Sequence, residues 1–290
     1  MVRSSSHSDQ PWLVLTPPGL VITGGSGGQP CCETARKKVE LYNPSSGHSC
    51  SLPDLPQEMS LHTQCGLLLC GDFSCLLMEG TTFSRTSVIL KEERRLHLCW
   101  SLPGAGGEVM LLGGSKSPTT TEVVSPDGSS SRTSWDLQYD TRWPISIWRN
   151  TNLCLYSGAC GLELGNSLLV SGGFDVSTPE KSLSSVVKYQ TDGTFQVLPE
   201  LRVRRRGHAC ASYLSDQGET VVLVTGGYNA LHFPDLDSTE LMVDFSDWRP
   251  AANLPYGREY LSAASLDRKI FIFGDEIQSY LGFQIQTNDD

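Results

Sequence analysis

The chain has 290 residues, of which 39% are hydrophobic and 19% charged, with a net charge of −10 and 28 glycines. A field this acidic disfavours nucleic acid as a partner, and no apolar run is long enough to span a membrane. Abundant small turn residues between short apolar runs point to an all-β chain of tight turns, in which one closed sheet system fills the whole length.

Residues 1–11 are polar and are expected to be disordered. The apolar stretch that follows, Trp12 to Thr16, is too short for the core of a signal peptide, which makes a cytoplasmic location the default. It suits the first strand of a repeated unit. A recurring signal comes next, four apolar or nearly apolar residues and then Gly-Gly or Gly-Asp. It reads LVITGG at 20–25, LLLCGD at 67–72, VMLLGG at 109–114, LLVSGG at 168–173, VLVTGG at 222–227 and IFIFGD at 270–275. The first glycines are Gly24, Gly71, Gly113, Gly172, Gly226 and Gly274, spaced by 47, 42, 59, 54 and 48 residues. The second position is Gly25, Gly114, Gly173 or Gly227, and Asp72 or Asp275 in the other two units. Six matches at a mean spacing of 50 residues are a repeat. A continuous apolar run of this length reads as a strand buried on both faces, and the glycines after it permit positive φ and close backbone approach.

Each dyad is followed by a variable polar loop and a half-apolar strand: VELYNP at 39–44, SCLLME at 74–79, TEVVSP at 121–126, VVKYQTDG at 186–193 and TELMVD at 239–244. Turn signals such as Asn43-Pro44, Pro126-Asp127-Gly128 and Asp192-Gly193 come next. An aromatic or cysteine slot then marks a fourth strand, at Cys50, Phe83, Trp135, Phe195 and Trp248. The next unit opens on a short strand near His62, His97, His208 or Tyr260. Each unit is therefore expected to have four strands, and such units must stack and close to bury their faces.

The apolar-run dyads, the tyrosines Tyr42 and Tyr189, the slots Trp135 and Trp248, and the Arg205 to His208 segment together resemble the Kelch repeat family over roughly residues 12–283. The resemblance implies a six-bladed Kelch-type β-propeller. After IFIFGD the chain supplies a third strand and no fourth, so the last blade is expected to be incomplete, followed by an acidic tail at 284–290. It also implies a non-catalytic, monomeric scaffold or adaptor whose loops bind a protein partner.

In an antiparallel four-stranded blade, the loops after strands two and four share one face, and loops on a rigid scaffold commonly carry binding. The segments expected there include FDVSTPEKS at 174–182, KEERR at 91–95 and LRVRRRG at 201–207. Arg202, Arg204, Arg205 and Arg206 make a basic cluster in an acidic protein, suited to an acidic peptide segment, or else lie as solvated loop arginines. Tyr228, His232 and Phe233 on the adjoining loop read as interface anchors or as loop packing.

Enzyme readings find little footing. A galactose-oxidase-like copper site, or an axial small-ligand or sugar site, is the alternative the fold suggests, and copper of that type needs paired His and Tyr ligands. No paired tyrosines stand out, and the repeated histidines His62, His97 and His208 read as structural. No Gly-x-Ser-x-Gly or phosphate-loop motif occurs, so no catalytic residue, metal or cofactor is assigned. The ten cysteines fit an oxidising compartment or serve as small buried hydrophobes. Cys70 and Cys75 flank one expected hairpin, where they pair as a disulfide or remain two buried thiols.

Overall fold

The computed structural model describes residues 12–16, 19–23, 26–27, 34–35, 37–44, 46–59, 63–65, 67–94, 97–114, 120–134, 157–175, 178–229, 235–266, 269–273 and 283–285. These residues form antiparallel strands and turns, with no helix among them. Sheet 1 contains β1 (Trp12–Thr16), β2 (Gly19–Thr23), β5 (Val39–Asn43) and β6 (His48–Leu52) in that order, while β3 (Ser26–Gly27) and β4 (Thr34–Ala35) pair within its long loop. Sheet 2 contains β7 (Thr63–Cys65), β8 (Leu68–Glu79) and β9 (Thr82–Arg94). Sheet 3 is β10 (Leu98–Ser101), β11 (Val109–Leu112), β12 (Thr121–Val124) and β13 (Ser131–Thr133). Sheet 4 orders β14 (Ser157–Leu164), β15 (Ser167–Asp175), β17 (Val186–Gln190) and β18 (Phe195–Leu198), with β16 (Thr178–Ser182) paired to the end of β15. Sheet 5 is β19 (Ala209–Leu214), β20 (Thr220–Thr225), β21 (Thr239–Val243) and β22 (Arg249–Ala251). Sheet 6 is β23 (Ser262–Leu266), β24 (Lys269–Phe273) and β25 (Phe283–Ile285).

The apolar runs bury both faces because each lies between two neighbouring sheets. In β11 every residue is buried. Met110 and Leu112 point into the cluster shared with sheet 4, and Val109 and Leu111 into the one shared with sheet 2. This is the period-two alternation of a strand with a hydrophobic layer on either side. Further clusters join sheets 1 and 2 around Leu69, sheets 4 and 5 around Val222, and sheets 5 and 6 around Leu223. The last joins sheet 6 to sheet 1, where the Tyr42 ring meets Phe273 edge-on at 5.4 Å between centroids. The first strands are neighbours in the same order: β1 lies beside β7, β7 beside β10, β10 beside β14, β14 beside β19, β19 beside β23, and β23 beside β1.

Sheet 2 departs from the simple unit. β8 doubles back at Gly71-Asp72, with Asp72 at φ 50°, a left-handed conformation that a short polar side chain tolerates. Cys70 and Cys75 are disulfide-bonded across the bend with Cα atoms 4.1 Å apart, so of the two readings of this pair the bonded one is found. The amide of Met78 donates to the Leu67 carbonyl at 2.7 Å, completing the hairpin.

Two expected loops are strand instead. Residues 91–94 belong to β9, because the Lys91 amide donates to Glu122 of sheet 3 at 2.9 Å and Arg94 is buried beyond it. Residues 178–182 form β16, which extends sheet 4 outward from β15. The first strand of sheet 4, β14, lies in a stretch that carries no clear repeat pattern. Cys50 occupies the aromatic slot of the first unit on β6, exposed and with a free thiol.

Candidate protein-binding surface

The connector from β18 to β19 holds the basic cluster, and the backbone around it is closely tied. The Leu201 amide donates to the Ser184 carbonyl at 2.8 Å and the Arg205 amide to Leu183 at 3.0 Å, both within sheet 4. Arg206 and Tyr228 exchange a pair of backbone hydrogen bonds at 3.0 and 2.8 Å, linking the connector to the loop after β20. The Gly207 amide reaches the Gly158 carbonyl at 2.8 Å, and the Tyr260 amide donates to Gly207 at 2.7 Å. Ser182 adds a hydroxyl bond to the Tyr228 carbonyl at 3.0 Å. Three chain segments from sheets 4, 5 and 6 thus form one sutured surface.

The four arginines divide by burial. Arg202 and Arg204 are exposed and Arg206 is half-buried. The Arg206 guanidinium lies over the Tyr228 ring, 4.8 Å from its centroid, a cation–π arrangement that holds both side chains in place. Arg205 has no exposed surface, so it cannot join a surface cluster and is corrected to a structural residue. Its Nη1 donates to the Gly226 and Ser238 carbonyls at 2.7 and 3.0 Å, and its Nη2 to Glu240 at 2.7 Å. Burial pushes the Arg205 pKa down from its ordinary value, and the Glu240 carboxylate opposes that shift. Glu240 also accepts the Arg202 and Val203 amides at 2.7 and 3.1 Å. The buried pair therefore fixes the backbone from which Arg202 and Arg204 project. Exposed Asp237 and half-buried Asp235 border this surface. His232, Phe233, Trp135, Gly24, Gly25 and Gly274 lie outside the described residues.

The same anchor recurs one repeat pair earlier. Arg94 donates to the Gly113 carbonyl at 2.8 Å, to Thr120, and to Glu122 at 3.4 Å. Arg94, Arg205 and Arg258 each stand four residues before the first strand of the next sheet. The Arg205 and Arg258 carbonyls accept the amides of Gly173 and Gly227 at 2.9 and 2.6 Å, which explains the glycine dyads. A Cβ on Gly172 would collide with the Arg205 carbonyl, so only glycine fits. The signal for this anchor was in the sequence, as Thr-Glu at 121–122 and 239–240 paired with arginines three residues before His97 and His208. His208 Nε2 lies 3.0 Å from Ser171 Oγ, bonding sheet 5 to sheet 4, and His97 is equally buried. Trp248 donates from Nε1 to the Pro199 carbonyl at 2.9 Å across the same seam.

Sequence reasoning passed over Tyr256. It is exposed, and Arg258 stacks on it at 3.9 Å from the ring centroid. Gly227 bonds to the backbone of Arg258 and Tyr228 to that of Arg206, so the segments carrying the two arginine–tyrosine stacks are tied together, although Arg258 itself is buried. Among the described residues, no group of three or more His, Cys, Asp and Glu is arranged to hold a metal ion. No protein-family model and no curated protein matches the chain.

Proposed function

We propose that the six sheets are the blades of a closed six-bladed Kelch-type propeller, and that this propeller is a non-catalytic scaffold that binds a protein partner through its loop face. Support for the ring comes from six hydrophobic clusters, one for each adjacent pair of sheets, the last of them joining sheet 6 to sheet 1. Support for the binding role comes mainly from one observation. The exposed Arg202 and Arg204 and the tyrosine-stacked Arg206 stand on a connector whose Leu201, Arg202, Val203, Arg205, Arg206 and Gly207 amides are all hydrogen-bonded. Arginine and tyrosine side chains held in place before binding lose little entropy on association, which is what an interface anchor needs. Three cations on one strip suit an acidic segment of the partner, in charge-assisted and bidentate contacts.

The test is capture of partners from an extract by the purified chain, beside an Arg202→Ser/Arg204→Ser/Arg206→Ser variant. Arg205 is left intact because its removal would disturb the fold. A protein retained by the wild type, released by moderate salt and lost with the variant supports the reading. Equal capture by a variant of unchanged stability would sink the arginine strip as the site.

A further inference from the structure

Cys160 and Cys210 form a disulfide between the first strands of two different sheets, β14 of sheet 4 and β19 of sheet 5. Both are fully buried, packed with Leu169, Val222 and Trp248 in the cluster that joins these sheets. They are 50 residues apart in sequence, so the bond closes a loop that holds the rest of sheet 4 and the whole arginine connector. The pattern is not isolated. Cys70 and Cys75 are bonded across the bend of β8, and Cys99 also belongs to a disulfide. Cys99 repeats the place of Cys210. Each is the second residue of its sheet's first strand, and each lies opposite the residue two before a dyad, Leu111 and Val224. A cysteine at this repeated place faces the preceding sheet, where it can tie one sheet to the next.

Disulfides at buried sheet junctions do not persist in a reducing cytosol, where glutathione and thioredoxin keep thiols reduced. We infer that this chain matures and acts in an oxidising compartment, where the Cys160–Cys210 disulfide locks sheets 4 and 5 together at the seam beneath the arginine connector. The inference does not depend on the scaffold reading, and it runs against the cytoplasmic default of the sequence. The chemistry is thiol–disulfide exchange with a disulfide oxidant such as oxidised glutathione. One cysteine thiolate attacks the oxidant and expels a glutathione thiolate, and the second cysteine resolves the mixed disulfide and expels the other. Two protein thiols become one S–S bond, and one molecule of oxidised glutathione becomes two of the reduced form. Because both sulfurs end fully buried, exchange must occur as sheet 5 docks on sheet 4, before the seam closes over them.

Reduction would leave two small buried thiols, which pack as hydrophobes. The main loss is then the constraint on the unfolded chain, about a thousand-fold in the folding equilibrium for a loop of this length. A chain of this size should show a fall in Tm of roughly 7 °C.

The experiment uses the whole chain secreted by an oxidising host. Free thiols are alkylated under denaturing conditions, the protein is digested without reduction, and the linked peptides are identified by mass spectrometry. The expected result is a Cys160 peptide joined to a Cys210 peptide, and a Tm that falls by at least about 7 °C once the disulfides are reduced. A Cys160→Ala/Cys210→Ala variant should begin at the lower Tm and respond less to reductant than the wild type, its remaining response coming from the Cys70–Cys75 bond and the bond at Cys99. Alkylated Cys160 and Cys210 in the secreted protein would overturn the inference. So would a thiol-free-of-linkage protein from a reducing cytosol whose Tm equals that of the secreted form, a comparison that needs no variant.

Discussion

Glu240→Ala tests whether the buried arginine anchor holds the connector. In the folded protein Glu240 accepts from Arg205 Nη2 at 2.7 Å and from the Arg202 and Val203 amides at 2.7 and 3.1 Å. The substitution leaves a guanidinium with no exposed side-chain surface facing no counter-charge, and two amides without an acceptor. Removing one partner of a buried ion pair costs about 3–5 kcal/mol, because the remaining charge cannot recover its hydration. We expect about 4 kcal/mol here, which for a chain of this size is a fall in Tm of about 7 °C. The control is the pair of Arg132 and Glu108, which has the same 2.7 Å separation but side chains 58% and 27% exposed. Solvent screens that pair, so Arg132→Ala should cost under about 1 kcal/mol. The assay is urea unfolding followed by tryptophan fluorescence, with m compared among the three proteins to confirm one cooperative transition. If Glu240→Ala and Arg132→Ala were equally stable, burial would not be what gives the anchor its strength, and the reasoning would fail.

Two further outcomes follow from the same structure. Gly226→Ala places a Cβ 2.8 Å from the Arg258 carbonyl oxygen and against Leu261, at a φ of 65°, and should cost about 3 kcal/mol in urea unfolding. Gly165→Ala, at φ 59° in open space, should cost only about 1 kcal/mol, and equal costs would show that close approach is not what demands the dyad. Asp127 has its pKa lowered to about 2 by hydrogen bonds from the Ser125 and Ser129 hydroxyls and the Ser129 amide. Its folded pKa lies below the unfolded value, so its contribution is present above about pH 4 and is lost as pH falls through 2. Carboxyl titration by NMR should show this, and Ser125→Ala should raise the pKa toward the ordinary range; no change on that substitution would remove the hydroxyl as the cause.

Much of the repeat was legible because it is a local code. An apolar run with glycine after it needs only nearest neighbours to read as a buried strand and its exit, and β2, β11, β15, β20 and β24 lie where the runs do. The half-apolar third strands β5, β12, β17 and β21 follow for the same reason. β14 was not legible, since Ser157–Leu164 mixes small residues with one glutamate and lacks a continuous apolar run, and it becomes a strand by pairing along β15. The long β9 was read as ending early because Lys91 to Arg94 look like a solvated charge run. Their strand conformation is set by Glu122, which is 31 residues away in sequence from the Lys91 amide it accepts.

By itself the sequence determined the class of structure and the spacing of its units, because both rest on periodicity and on the backbone needs of glycine. Only the tertiary structure decided what the four arginines of the connector do. In sequence Arg202, Arg204, Arg205 and Arg206 are one basic cluster. In the fold, Glu240 draws Arg205 inward, Tyr228 holds Arg206 at the surface, and Arg202 and Arg204 are left in solvent. The cysteines divide in the same way, since whether Cys210 is a core hydrophobe or half of a bond depends on Cys160, 50 residues earlier, facing it across a seam. Charge pairing and disulfide bonding both need a partner in space, and only the docking of one sheet on the next supplies it.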